Sequence, residues 1–162
     1  METAAQSSKA PSEVSPAGAQ SSGDQTLEAQ FEDGIARYKA GEPAEELLPI
    51  FKHICQQAPK NSAAQTCLSW LYLLADKPNA AYKAAQRAVK LAPKDPQSRV
   101  NLAIAMLETG KSGVRDHVDQ VSQVLFAVDE LKAEIQENFE EGLRRKPDWK
   151  NLKRVRKWIF ES

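Results

Sequence analysis

Apolar residues recur every three or four positions through most of the chain, which is the spacing of one buried face on an α-helix. The clearest stretch, residues 62–95, divides into two such segments. Leu68 and Tyr72 lie on the first segment, and the face of the second is built from the small residues Ala81, Ala85 and Ala88. Small side chains let a neighbouring backbone come close. The pattern therefore predicts two short antiparallel helices in tight contact.

Prolines punctuate this pattern at a regular interval. Pro78 suits the first turn of the second helix, where the missing N–H of proline costs no hydrogen bond, and Pro93 ends that helix. Pro59 precedes Pro93 by thirty-four residues, so a first hairpin of the same kind is predicted upstream. A third hairpin is predicted from Pro96, but its closing proline, Pro147, comes fifty-four residues after Pro93. The third unit therefore contains about twenty residues more than one period.

The surplus residues also have a helical pattern. Apolar residues recur from Val114 to Phe139 with no intervening Gly or Pro. One continuous helix from about Val114 to Arg145 would be about 45 Å long at 1.5 Å per residue and would project beyond its neighbours. We favour this continuous helix. In the alternative, the helix breaks near Asp129 and its front part folds back.

The hairpin at 62–95 resembles a tetratricopeptide repeat (TPR). Residues that match the family pattern in order are Leu68, Ser69, Tyr72, Ala81, Ala85, Ala88 and Pro93, whereas Gln65 stands where the family usually has tryptophan. The resemblance implies an all-α fold, a short right-handed α-solenoid of about three TPR-like hairpins with an overlong third-unit helix and a C-terminal capping helix. We expect a disordered tail at 1–25, a repeat domain at 26–147 with units 28–61, 62–95 and 96–147, and a basic capping helix at 148–162.

Composition adds four expectations. Residues 1–25 are rich in Ser, Ala, Gln and Pro and cannot bury enough apolar surface to fold alone. Acids and bases balance at twenty-two each, so the chain as a whole has no bias toward nucleic acid or membrane. Cys55 and Cys67 lie in predicted helices and favour the cytoplasm or another reducing intracellular compartment. No apolar run approaches the roughly 20 residues that span a bilayer, so we expect a soluble protein.

No motif for catalysis, metal binding or cofactor binding stands out. His53 and His117 are sixty-four residues apart and have no Cys or acidic partner at the spacing of metal ligands. The chain shows no glycine-rich phosphate loop, nucleophile motif or paired carboxylates. We therefore predict no enzyme activity, no metal and no cofactor.

The TPR family forms a concave groove from one face of the first helix of each hairpin, and the resemblance implies such a groove here. Trp70 lies on that face, away from Leu68 and Tyr72, and is the predicted aromatic anchor for a partner segment. The resemblance implies a module that binds another protein, as an adaptor, scaffold or assembly factor. In the alternative, the extra helix or the terminal helix of the same chain covers the groove. The predicted partner-binding residues are Ala36, Thr66, Trp70, Leu73, Val100, Ile104 and Leu107.

One class of partner is not expected. TPR proteins that bind the acidic C-terminal tails of heat-shock chaperones hold carboxylates with two lysines, two asparagines and an arginine. The corresponding positions here are Glu32, Ala36, Cys67, Gln97 and Asn101. None of the five carries the residue that these proteins have at the same position. The sequence therefore argues against a heat-shock chaperone C-terminal tail as the partner.

The C-terminal region carries a cluster of basic residues interleaved with Trp149 and Trp158. The simplest interpretation is a solvated helix face. The alternative is a surface that binds an acidic protein, an anionic membrane or nucleic acid. The residues concerned are Arg144, Arg145, Lys150, Lys153, Arg154, Arg156 and Lys157.

A second alternative is self-association. On the predicted long helix, Val118, Val121, Leu125 and Val128 form an apolar stripe. An exposed stripe of this kind needs a partner, and a second copy of the chain would supply one as a homodimer.

Overall fold

In a computed structural model, residues 25–161 of the chain are described, and they form α-helices with no strand among them. The all-α prediction is therefore confirmed. No helix in this part of the chain combines the length and apolar character needed to cross a membrane. The helices are α1 (Leu27–Lys39), α2 (Ala44–Gln57), α3 (Ser62–Leu74), α4 (Pro78–Leu91), α5 (Pro96–Glu108), α6 (Val114–Ala127), α7 (Asp129–Arg145) and α8 (Lys150–Phe160).

The first six helices form three stacked hairpins, α1 with α2, α3 with α4 and α5 with α6. The first helix of each hairpin begins after a capping residue whose side-chain oxygen accepts a hydrogen bond from the backbone N–H three residues on. Thr26, Asn61 and Asp95 cap in this way, at 3.0, 3.1 and 3.3 Å. These caps recur at the same place in each hairpin and so set the repeat period.

The first helix of each hairpin also ends in the same way. Gly41, Asp76 and Gly110 have positive φ angles of 95°, 59° and 71°. The N–H of the residue after each of them bonds back to the helix, as Lys77 does to the carbonyl of Tyr72 at 2.9 Å. Because Asp tolerates the left-handed conformation better than most residues, the middle hairpin keeps this turn without a glycine.

The small face of α4 packs in the way that its sequence predicts. Ala81, Ala85 and Ala88 are completely buried, and α3 and α5 pack on either side of α4. Leu68 and Leu71 of α3 fill the core beside them. The absence of bulk on α4 is what lets the hairpins stack closely.

The third hairpin differs from its predicted form, because α6 is the helix that packs on α5. Ile135, Phe139 and Gly142, which precede the closing Pro147, lie outside this hairpin on α7. The surplus residues therefore follow the third hairpin as α7, and α8 then packs on α5 and α6 with Leu152 and Val155 buried, as a capping helix does.

The prediction of one continuous helix from Val114 to Arg145 is wrong. The helix is interrupted at Val128, whose backbone is extended, with φ −134° and ψ 102°. A straight helix would carry Ile135 and Phe139 out into water, whereas the break turns α7 back so that both are buried. Burial of this apolar surface offsets the loss of helical hydrogen bonds at the joint.

Ala81 provides a test of the packing between the hairpins. Replacing Ala81 with Leu adds bulk at a completely buried position, so we expect the free energy of unfolding in urea to fall by about 1–3 kcal/mol. Lys83→Leu, at an exposed position of the same helix, is the matched control and should change stability by only about 0.5 kcal/mol. Equal stability of both variants would show that α4 is not tightly enclosed.

Candidate functional site

Trp70 lies on the side of the molecule formed by α1, α3 and α5, and it is half-buried because α7 and the start of α8 cover part of its ring. The ring of Trp149 packs against it with 5.3 Å between ring centroids. A Cβ atom on Gly142 would lie only 2.9 Å from Cζ2 of Trp70 and 2.8 Å from Cδ1 of Leu152. Only glycine allows the α7 backbone to come so close. The chain's own α7 therefore occupies part of the predicted groove.

A chain of hydrogen bonds joins Trp70 to α1 and α7. The indole N–H of Trp70 donates to the hydroxyl of Tyr38 at 2.8 Å, and that hydroxyl donates to the carboxylate of Glu141. Burial raises the pKa of Tyr38 well above its ordinary value, and the hydrogen bond to Glu141 raises the pKa further. The phenol therefore stays protonated and keeps its role as donor.

Arg145 holds the same end of α7 against α1. Its guanidinium donates to Glu141 at 2.7 Å and to the backbone carbonyls of Tyr38 and Glu42 at 2.7 and 2.8 Å. The guanidinium carbon also lies 4.1 Å from the centroid of the Tyr38 ring. The sequence predicts Arg145 as part of the basic surface, but these contacts direct its side chain inward, where it holds α7 against α1.

The residues after α7 are anchored as well. The ammonium group of Lys146 donates to the carboxylate of Asp76 at 2.7 Å and to the carbonyl of Leu73 at 3.2 Å, and it lies 4.6 Å from the centroid of the Trp149 ring. Trp149 in turn donates its indole N–H to Glu108 at 2.6 Å. The connection between α7 and α8 is therefore fixed to the ends of α3 and α5.

A pocket of about 360 Å³ remains where α7 leaves the groove uncovered. It lies between α1, α3, α5 and the middle of α7, with an apolar floor and polar groups contributed mainly by α5 and α7. Its lining residues are Ile35, Tyr38, Lys39, Phe51, Thr66, Cys67, Trp70, Leu71, Gln97, Asn101, Glu137, Asn138 and Glu141.

One wall of the pocket is a chain of amides. Asn138 donates to Gln97 at 2.8 Å, Gln97 donates to Asn101 at 2.7 Å, and Asn101 donates to the hydroxyl of Ser69 at 2.9 Å and to the carbonyl of Thr66 at 3.1 Å. Asn101 is completely buried. Because its buried end is fixed, this wall presents polar groups at set positions rather than on free side chains.

The two thiols are poorly suited to nucleophilic chemistry. Burial raises the pKa of Cys67, which lines the pocket, to about 12, and burial likewise raises the pKa of Cys55 to about 11. A thiol reacts as its thiolate, and at neutral pH these groups keep their protons. Among residues 25–161, His, Cys, Asp and Glu side chains form no group of three or more that could hold a metal ion.

The predicted partner-binding residues divide into three groups. Thr66 and Trp70 line the pocket. Leu73, Val100 and Ile104 are buried in the core, and Leu107 is half-buried. Ala36 is exposed outside the pocket lining. The pocket is also lined by Tyr38, Asn138 and Glu141, which the sequence does not predict, because nothing in it connects Tyr38 with Glu141, 103 positions away.

The exposed basic surface contains fewer residues than the sequence predicts. Arg144 pairs with Glu137 at 3.2 Å, Arg145 is enclosed and Arg156 is half-buried. Arg115 of α6 joins it, since Arg115 and Arg154 lie 4.9 and 5.1 Å from the ring centroid of Trp158. The exposed basic residues of α8 are Lys150, Lys153, Arg154 and Lys157.

The stripe proposed for self-association is mostly internal. Val118, Val121 and Leu125 are buried against the rest of the fold. Only Val128 is exposed, and beside it Phe126 has 93% of its surface exposed. As packed here, the three buried residues are not available to a second copy.

The helices and their order define a TPR-like α-solenoid. No family model matches the sequence, and no curated protein matches it. Solved structures do match: a T3SS complex from Aeromonas hydrophila has a TM-score of 0.60 and 18% identity over 80% of this chain and 82% of that chain. MamA MSR-1 C2 has a TM-score of 0.58 and 17% identity over 86% of this chain and 82% of that chain. At these identities the likeness concerns the fold, which is TPR-like as the repeat at 62–95 predicts.

Gly142 tests the contact that places α7. Alanine would ordinarily stabilise a helix by about 1 kcal/mol relative to glycine, but here its methyl group would overlap Trp70 and Leu152. We expect Gly142→Ala to lower the free energy of unfolding by about 1–3 kcal/mol, as overpacked cores do. Glu140→Ala, at an exposed position of α7, is the control and should be nearly neutral. A more stable Gly142→Ala protein would mean that α7 does not depend on this close approach.

Proposed function

We propose that this protein is a non-catalytic protein-binding module, an adaptor, scaffold or assembly factor, that holds a segment of another protein in the pocket beside Trp70. The observation that carries this proposal is the pocket itself. It combines an apolar floor at Ile35, Phe51 and Leu71 with a fixed amide wall. Such a combination suits an apolar anchor side chain whose flanking backbone is held by amides.

The size of the pocket supports an anchor of one or two side chains rather than a helix. A volume of about 360 Å³ is near the lower end of the range for ligand sites in proteins. The TPR groove of the sequence-based prediction would have extended along Val100 and Ile104, but those side chains are buried. A partner segment would therefore enter between α1 and α7 and contact Thr66 and Trp70.

The charges at the pocket nearly balance, so they do not select strongly between acidic and basic partner segments. Glu137 and Glu141 of α7 line the pocket together with one cation, Lys39 of α1. Arg144 and Arg145 pair with these two carboxylates at 3.2 and 2.7 Å. The expectation that a chaperone C-terminal tail is not the partner therefore depends on the sequence positions that would hold its carboxylates and not on the charge of the pocket.

Peptide display provides a direct test. A library of random peptides is selected on the folded protein, and the enriched peptides are measured against a Thr66→Phe variant, in which the larger side chain fills the pocket. We expect the affinity of the selected peptides to fall by about tenfold or more, the equivalent of about 1.4 kcal/mol, because the anchor side chain loses its space.

The matched control is Lys83→Phe, which adds the same side chain at an exposed position of α4. This variant should bind the peptides as the wild type does, and urea unfolding should show that both variants are folded. A selection that enriches no specific peptide, or peptides that bind Thr66→Phe with unchanged affinity, would contradict the proposal.

A second candidate function is binding of an anionic surface through α8. Lys150, Lys153, Arg154 and Lys157 are exposed on one helix. Within residues 25–161 none of these four cations has a carboxylate in salt-bridge contact. Arg115 extends the surface, and Trp158 provides an aromatic ring at its centre. Exposed cations around an aromatic ring suit the surface of an anionic membrane or a nucleic acid.

Salt separates the two candidates. If α8 binds anionic vesicles or duplex DNA, the affinity should fall steeply between about 50 and 200 mM salt, because binding releases counterions. A Lys153→Gln, Lys157→Gln variant should bind more weakly and with a shallower salt dependence, whereas Lys83→Gln should not. Binding that is absent at low salt, or that does not change in the α8 variant, would remove this candidate.

A further inference from the structure

We propose that α6 and α7 can straighten into one helix at Val128, and that two copies of the chain then exchange α7 and α8 to form a swapped dimer. In that dimer each groove is filled by the α7 of the partner. The pocket beside Trp70 would then be completed by Glu137, Asn138 and Glu141 of a second copy. This inference does not depend on which ligand, if any, the pocket binds.

The joint between the two helices consists of a single residue. Val128 alone is non-helical between Ala127 and Asp129, with φ −134° and ψ 102°. Neither glycine nor proline occurs between Val114 and Glu141, and the apolar period runs through the joint without interruption. A change in the backbone of Val128 to helical angles is therefore enough to join the helices.

Straightening would satisfy backbone groups that the bend leaves without helical partners. No side chain caps the start of α7, and an α-helix leaves its first four N–H groups without partners inside the helix. In a continuous helix, the N–H groups of residues 129–131 would instead bond to carbonyls in the last turn of α6. The bend is therefore stabilised by the contacts that α7 makes in the groove and not by its local backbone geometry.

Those contacts can be reproduced by a second copy. Gly142 packs against Trp70, Glu141 accepts from Tyr38, and Arg145 donates to two carbonyls of α1 and its following turn. Each pair joins α7 to an element before the joint, so each can form between copies with the same geometry. A free groove therefore fits the α7 of another copy as it fits its own, which is the condition for domain swapping.

The joint also carries the most exposed large apolar side chain among the described residues. Phe126 has 93% of its surface exposed, and Val128 has 39%. In a swapped dimer the two joints lie where the copies cross, so these side chains can be buried against each other. This burial would favour the dimer over the monomer.

The test compares wild type with a variant locked in the bent form. Asp129 is the first residue of α7, where proline is tolerated, and the extended Val128 before it has the backbone that a following proline requires. Asp129→Pro should fold as a monomer but cannot form the continuous helix. After refolding at high protein concentration, light scattering should detect dimer in the wild type and none in Asp129→Pro. Phe126→Ser should reduce the dimer fraction without unfolding the monomer.

A zero-length crosslink distinguishes exchange from side-by-side contact. Lys146 and Asp76 lie 2.7 Å apart, so a carbodiimide can join them through an amide bond. Chains labelled with ¹⁴N and ¹⁵N are refolded together, and the dimer is isolated, crosslinked and digested. Swapping predicts light–heavy pairs of the Lys146 and Asp76 peptides. A wild type that stays monomeric, a dimer with only same-label pairs, or equal dimer in Asp129→Pro would overturn the proposal.

Discussion

The close contact between Gly142 and Trp70 is the constraint on which the arrangement of α7, α8 and the pocket depends. With no side chain at position 142, the α7 backbone lies against the indole ring, and this depth brings Glu141 and Arg145 within reach of α1. Lys146 then reaches the end of α3. A helix held even slightly farther out would lose several of these hydrogen bonds together, because they are fixed to one rigid element.

The same contact changes what the repeat fold offers to a partner. In the sequence-based prediction, the first helices of the three hairpins form one long apolar groove. Here α7 covers the part beyond Trp70, and the uncovered part is a short pocket with α1 on one side and α7 on the other. Glu137, Asn138 and Glu141 of α7 contribute to its lining, so the pocket is formed by α7 together with the repeats. A partner that displaced α7 would also remove part of its own binding site.

Much of the repeat architecture could be predicted from the sequence, and the position of α7 could not. Proline spacing and the alanines of α4 identify the hairpins because these features act locally. The break at Val128 has no local signal, since neither glycine nor proline marks it and the apolar period continues. It is decided by burial of Ile135 and Phe139 against distant parts of the chain. Long-range burial of this kind overrides local propensity.

The candidate site shows the same division. Trp70 can be predicted as an anchor because it lies on the helix face opposite Leu68 and Tyr72, where the sequence offers it no core to enter. Tyr38, Glu141 and Arg145 were not identified as a cluster, because each is an ordinary surface residue type and only the fold brings them together. The Arg145–Glu141 pair is well enclosed, with 16% and 25% of the side chains exposed, whereas Arg144–Glu137 is 60% and 65% exposed. Salt screens the second pair far more than the first, so adjacent arginines of one basic run have different physical roles, one structural and one solvated.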